Sequence, residues 1–92
     1  MYTVYALKSI SKNYIYVGQT IKLKNRLDRH NKGWEKTTKP YRPFDLIYYE
    51  EVENRIIARQ REKFLKSSSG KRFLRKIISS RMAELVDLSA SM

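Results

Sequence analysis

The chain contains no cysteine, which excludes disulfides and thiolate zinc sites and leaves the redox compartment open. A single histidine, His30, excludes any metal site built from several imidazoles. No apolar run approaches the roughly 18 residues that a membrane span requires. The N-terminus enters the alternating stretch Tyr2 to Leu7 directly, without the charged and apolar regions of a secretory signal. A cytoplasmic, intracellular protein is the expectation, nucleoid association included. Acidic residues are scarce as well: nine Asp and Glu stand against twenty Lys and Arg, for a net charge of +11. That imbalance favours a polyanion, with nucleic acid first. An anionic membrane surface would want the basic residues opposite one broad apolar helix face, whereas here they are spread over several segments. No membrane and no obligate protein partner are expected.

What is present suffices for one domain. The 92 residues allow one modest core, and 41% hydrophobic residues with eleven aromatics can fill it. Tyr2 to Ser9 and Tyr14 to Gln19 are rich in β-branched and aromatic residues around a polar break, which predicts a β-hairpin. Gly18 near its end suits a bulge or a close backbone approach. Leu23 to Lys32 reads as a short basic helix with Asn31-Lys32-Gly33 as its exit. Trp34 to Pro43 holds both prolines and reads as a surface loop. Asp45 to Val52 reads as a third strand. Asn54 is a good N-cap for a helix to about Lys66 with an apolar stripe of Ile57, Ala58, Phe64 and Leu65. Ser67 to Gly70 reads as an interruption. A third helix is expected over Lys71 to Ser79, with Phe73, Leu74, Ile77 and Ile78 facing the core. The expected fold is α+β, a three-stranded antiparallel sheet flanked by helices in the order β-β-α-β-α-α, over residues 1–79. Residues 80–92 change composition and read as a C-terminal extension or tail.

Basic residues concentrate in two blocks: nine against two acids from Lys8 to Lys39, and nine against one from Arg55 to Lys76. Nearly one-signed blocks of this kind favour phosphate contact over a solvated face. On an ideal helix Arg26 lies about 60° and His30 about 20° from Leu23, so both border the buried side. Arg26 suits bidentate phosphate contact; His30 suits hydrogen bonding or proton transfer, and equally a packed or capping role near the helix end. Glu62, the one acid of the second block, sits about 40° from Ala58 at the stripe margin. A surface ion pair with Lys66 is its other reading. No carboxylate cluster for a two-metal site stands out, but one carboxylate with water and phosphate oxygens can hold Mg²⁺.

Tyr5 in Thr3-Val4-Tyr5, followed eleven residues later by Tyr16-Val17-Gly18, resembles the paired tripeptides of the GIY-YIG nucleases. Arg26 stands where that family has its helix arginine, His30 where it has His or Tyr, and Glu62 where it has its metal-binding glutamate. The likeness covers about residues 2 to 78 and is greatest to the small single-domain branch, with similarity to the N-terminal nuclease domain of the excision-repair C subunit. Gln19 stands where some members have a lysine, and no late asparagine follows Glu62. The resemblance implies an endonuclease that hydrolyses DNA phosphodiester bonds with low sequence specificity, using one Mg²⁺ or Mn²⁺ on Glu62, with DNA favoured over RNA and a role in DNA repair. It implies that Tyr16, beside Tyr5, handles the attacking water, that Arg26 neutralises the phosphate, and that His30 relays a proton or holds phosphate. Expected nucleic-acid contacts are Gly18, Gln19, Lys22, Lys24, Arg29, Trp34, Lys36 and Lys39. The alternative is a non-catalytic nucleic-acid-binding module of the same fold.

Overall fold

The computed structural model describes the backbone of residues 1–90 and the side chains of residues 1–80. Its elements are β1 (Tyr2–Ser9), β2 (Ile15–Thr20), α1 (Leu23–Lys32), a 3₁₀ turn (Lys39–Tyr41), β3 (Phe44–Val52), α2 (Arg55–Lys66) and α3 (Ser68–Ala90). The expected α+β order is the observed one. The strands form one antiparallel sheet in the order β2-β1-β3, so the first strand lies in the middle. A central strand is covered on both faces, and Val4, Tyr5, Ala6 and Leu7 are all fully buried. Successive side chains point to opposite faces. Val4 and Ala6 pack with Val17, Ile47, Ala58, Leu65 and Leu74 beneath α2 and α3. Tyr5 and Leu7 pack with Phe44, Leu23 and Leu27 beneath α1.

Each helix end has a local cause. Gly33 closes α1 in the left-handed conformation, at φ 78°, and its N–H bonds back to the last turn. The Asn31 side chain then accepts the N–H of Phe44 at 2.8 Å, which ties the end of α1 to the start of β3. The Asn54 side chain accepts the N–H of Ile57 at 2.9 Å and starts α2, a cap that contributes about 1 kcal/mol.

The serine run departs from expectation. Only Ser67 separates the last two helices, and α3 begins at Ser68 rather than near Lys71. Its Oγ accepts the N–H of Gly70 at 3.3 Å, so the run that reads as a breaker is a helix start signal. The backbone of α3 continues past Ser79 to Ala90, and the expected tail from residue 80 on otherwise lies outside the described residues. The apolar stripes are narrower than the sequence implies. Ala58 and Leu65, seven residues apart and so about 20° from each other around the axis, are fully buried. Phe64 is turned outward beneath the Arg61 guanidinium, 4.9 Å from its ring centre. Phe73 is partly exposed and packs edge-on against Tyr48.

Gly70 is buried where α3 crosses the end of α2, and a Cβ there would run into the backbone of Phe64 and Leu65. Backbone cannot rotate out of the way as a side chain can. Gly70→Ala should therefore destabilise the fold by about 2 kcal/mol or more, read as a lower urea midpoint at unchanged m. A midpoint equal to the wild type would mean that the helix crossing is looser than described.

Candidate active site

The α1 face of the sheet gathers four of the five residues singled out as catalytic. Tyr5 stands directly opposite Gly18 in the β1–β2 ladder. A Cβ on Gly18 would come within 2.8 Å of the Tyr5 hydroxyl and 2.9 Å of the Tyr16 ring. The missing side chain is thus the reason the Tyr5 ring can lie across β2. Gly18, expected as a nucleic-acid contact, is buried; the space beside it is filled by the two tyrosines.

From β1 the Tyr5 hydroxyl reaches His30, 2.9 Å from its Nε2. His30 is itself buried at 1% exposure, and its Nδ1 is 2.8 Å from the Thr38 hydroxyl. The directions of these bonds follow from the groups at each end. The Arg26 guanidinium, which can only donate, faces the Tyr5 oxygen and favours it as an acceptor. The Thr38 hydroxyl donates to the Glu35 carbonyl at 3.4 Å. The network therefore assigns the imidazole proton to Nδ1, donated to Thr38, while Nε2 accepts from Tyr5. Burial holds the His30 pKa below its ordinary value, which keeps the ring neutral as this arrangement needs. Tyr16 completes the group, its ring centre 4.9 Å from that of His30 and 6.2 Å from that of Tyr5.

The two tyrosines are not equivalent. Burial, outweighing the Arg26 guanidinium that faces it, pushes the Tyr5 pKa up to about 12. Tyr5 keeps its proton at neutral pH and acts as a fixed donor to His30. Tyr16 is only half-buried, so its side chain has access to water that Tyr5 lacks.

Two partners of this cluster lie in the loop that the sequence reading passed over. Glu35 Oε1 stands 3.0 Å from Arg29 Nε and 3.7 Å from Arg26 Nη1. These are ion-pair distances without hydrogen-bond geometry, since Glu35 Oε1 and Arg26 Nε are both buried with no hydrogen-bond partner. Thr38 fixes the histidine tautomer. A lone acid just after a basic helix, and the Thr37-Thr38 pair within reach of the helix end, were the available signals. Neither has a periodic pattern to reveal it.

Glu62 lies elsewhere. It projects from α2 on the opposite face of the sheet, and its Oε1 accepts from Lys66 Nζ at 2.8 Å, the ion pair weighed as its other reading. It shares a cavity of about 630 Å³ with Gln19, Arg59 and Lys63. Gln19 follows Gly18 on the edge strand β2, so the cavity that holds Glu62 opens at that edge. Gln19 Oε1 is buried with no hydrogen-bond partner. The carboxylate and the orphan amide oxygen are oxygen donors of the kind a hard divalent cation takes, in a cavity also lined by Arg59, Lys63 and Lys66, whose charge a bound phosphate would offset. Among the described residues no group of three His, Asp or Glu is placed to hold a metal, so any ion here would keep most of its water.

The basic residues expected to meet nucleic acid, Lys22, Lys24, Arg29, Lys36 and Lys39, are exposed. Trp34 is 66% exposed, with the Lys32 ammonium 5.1 Å from its ring centre. Glu50 on β3 accepts from Arg61 Nε at 2.8 Å. Among the described residues no helix is long and apolar enough to cross a membrane.

Comparison with known proteins bears on the same residues. The GIY-YIG catalytic domain family matches residues 1–76. A UPF0213 protein of Pediococcus pentosaceus is 46% identical over 68 residues, covering 70% of this chain and 72% of that protein. A UPF0213 protein in the ldhD 5' region of Pediococcus acidilactici is 42% identical over 64 residues, covering 66% of this chain and 65% of that one. No solved structure matches.

The buried imidazole sets a pH dependence. Its folded pKa is depressed, so the unfolded chain takes up a proton that the folded chain refuses. Its contribution to stability is complete above about pH 6.5, the unfolded value, and is lost as pH falls through the folded value. Urea unfolding of the wild type should weaken over that interval, and His30→Gln should flatten the slope. A wild-type slope matched by the variant would place the titration on other groups.

Proposed function

The chain belongs to the GIY-YIG family, a nuclease family acting on nucleic acid, and we propose that it is an intracellular, divalent-metal-dependent endonuclease that hydrolyses DNA phosphodiester bonds with low sequence specificity. The observation that carries this reading is that, among the described residues, two of the three buried side-chain atoms without a hydrogen-bond partner, the third being Glu35 Oε1, are of opposite character and lie where ligand groups would meet them. Arg26 Nε is a donor without an acceptor, and Gln19 Oε1 is an acceptor without a donor. Leaving each unmatched costs about 1–3 kcal/mol. A phosphate on the α1 side and a cation at the β2 edge would satisfy them together.

Arg26 would donate to the scissile phosphate and offset the charge that grows on its oxygens. To do so it exchanges its loose contact with Glu35 for the phosphate, while still facing the Tyr5 oxygen. Tyr16 would orient the attacking water and take its proton while giving up its own phenolic proton toward Tyr5 and His30. His30, held with Nε2 as acceptor, would receive the relayed proton through Tyr5 or hold the phosphate. Glu62, with Gln19 beside it, would hold one Mg²⁺ or Mn²⁺. When bound, the ion would supply positive charge toward the departing oxygen. The exposed Lys22, Lys24, Lys36 and Lys39, together with Arg29 and Trp34, would grip the flanking strand. They would do so through phosphate charge rather than base edges, which is why little sequence preference is expected. DNA is preferred over RNA as the substrate, and repair as the setting, by likeness to the family.

A second reading has one observation in its favour. Lys66 already neutralises Glu62, as it would in a binding module that has lost turnover. The two readings part in a cleavage assay on labelled single-stranded, duplex and branched DNA with Mg²⁺ or Mn²⁺. Glu62→Gln should abolish cleavage while leaving binding equal or slightly tighter, since a negative charge near phosphate is removed. Cleavage by the variant at the wild-type rate would take Glu62 out of the site. Binding that falls with salt, with no cleavage by either protein, would favour the module.

Tyr16→Phe should slow the chemical step by roughly 10²- to 10⁴-fold, the range of a general base, with an unchanged urea midpoint. Unaltered turnover would reduce Tyr16 to a packing residue.

A further inference from the structure

The open side of β2 carries a second cavity, of about 770 Å³, between the edge strand and α3. Four cations line it, Lys8, Lys66, Lys71 and Arg75, and among the described residues no Asp or Glu does. Lys8 Nζ is fixed by donating to the carbonyls of Ser9 at 2.6 Å and Lys12 at 2.8 Å, which leaves its charge unneutralised. The floor is apolar, from the partly exposed Ile15 and Ile78 backed by the buried Val17, Leu65 and Leu74. Tyr14 is at its mouth, stacked face to face on Tyr41 at 3.9 Å, so one face of that ring is already braced.

We infer that this cavity receives an unpaired stretch of nucleic acid flanking the scissile phosphate. Two features together select that ligand. A ring of four cations, one of them, Lys66, paired with Glu62, matches phosphates, but a duplex would leave the apolar floor empty, because its bases are paired and stacked away from the protein. An unpaired nucleotide offers an apolar base face and a phosphate at once. The volume falls within the range of pockets that enclose ligands of this size. The cavity also adjoins both halves of the site. Tyr16 lines it on one side, and Lys66, the partner of Glu62, lines both this cavity and the one holding Glu62 and Gln19. The position relative to the scissile phosphate rests on the nuclease reading; strand binding itself does not, and is measured without divalent ions so that absence of cleavage leaves it untouched.

Fluorescence anisotropy with labelled oligothymidylate, oligouridylate and a blunt duplex of equal length tests the assignment. Lys71→Gln/Arg75→Gln removes two exposed cations from the cavity. Arg72→Gln/Lys76→Gln removes equal charge from the same helix outside it. The cavity variant should bind single strands roughly 10- to 30-fold more weakly at about 0.1 M salt, with a salt slope lower by about 1.4, as for two lost phosphate contacts. Its duplex affinity should drop no further than that of the control variant. The strand chemistry with the larger loss, deoxyribose or ribose, identifies the natural ligand. Equal single-strand losses for the two variants, or an equal loss on duplex and single strand for the cavity variant, would overturn the inference.

Discussion

The arrangement of the site depends on one cross-strand pairing, Tyr5 against Gly18. A large ring in the central strand needs somewhere to lie, and it lies in the space that glycine leaves on β2. Once the ring lies there, its hydroxyl is held at a fixed depth between α1 and the sheet. His30, Arg26 and Tyr16 are then placed by contact with it. Methyl-sized intrusion at residue 18 would push the tyrosine off β2 and undo the other three positions at once. This explains the spacing between the two tripeptides in physical terms. The hairpin register must set residue 5 opposite residue 18, and the side chain at 16 then falls on the same face, two residues along.

Much of this could be read in advance, for reasons that differ by element. The boundaries of β1 and α1 were legible because alternation and the Asn31-Lys32-Gly33 exit are local signals. The helix-edge positions of Arg26 and His30 followed from the geometry of an ideal helix, and Tyr5 and Tyr16 from likeness to a family. The start of α3 was misread because a serine run has two meanings, breaker or N-cap, and only the bond from Gly70 to Ser67 decides between them. Glu35 and Thr38 were passed over because their roles come from a loop folding back on α1. Such a return has no period. Nor does local sequence tell that Tyr5 holds its proton while Tyr16 faces outward, since that difference comes from burial in the finished sheet.

The division of the site across the sheet also has an electrostatic logic. The groups proposed to meet phosphate, Arg26 and the tyrosines, lie on the α1 face, and Glu62, the carboxylate proposed to hold the ion, lies on the α2 face. Had Glu62 been beside Arg26, the two would neutralise each other, and neither would be available to a ligand. Instead each has a weaker local partner. Arg26 is within 3.7 Å of Glu35, and Glu62 is paired with the partly exposed Lys66. Ion pairs of this exposed kind contribute about 0–1 kcal/mol and exchange readily for stronger ones.

The cations along β2 have a second effect, on self-association. An edge strand offers unpaired backbone groups to any other strand, including β2 of a second copy. Two copies meeting there would bring Lys8, Lys66, Lys71 and Arg75 against their own duplicates, with no acid among the described residues of that rim to soften the repulsion. The charge that suits this edge to a polyanion therefore also guards it against aggregation. Because salt screens both interactions over the same Debye length, conditions that strip nucleic acid from the protein also lower its protection from pairing with itself.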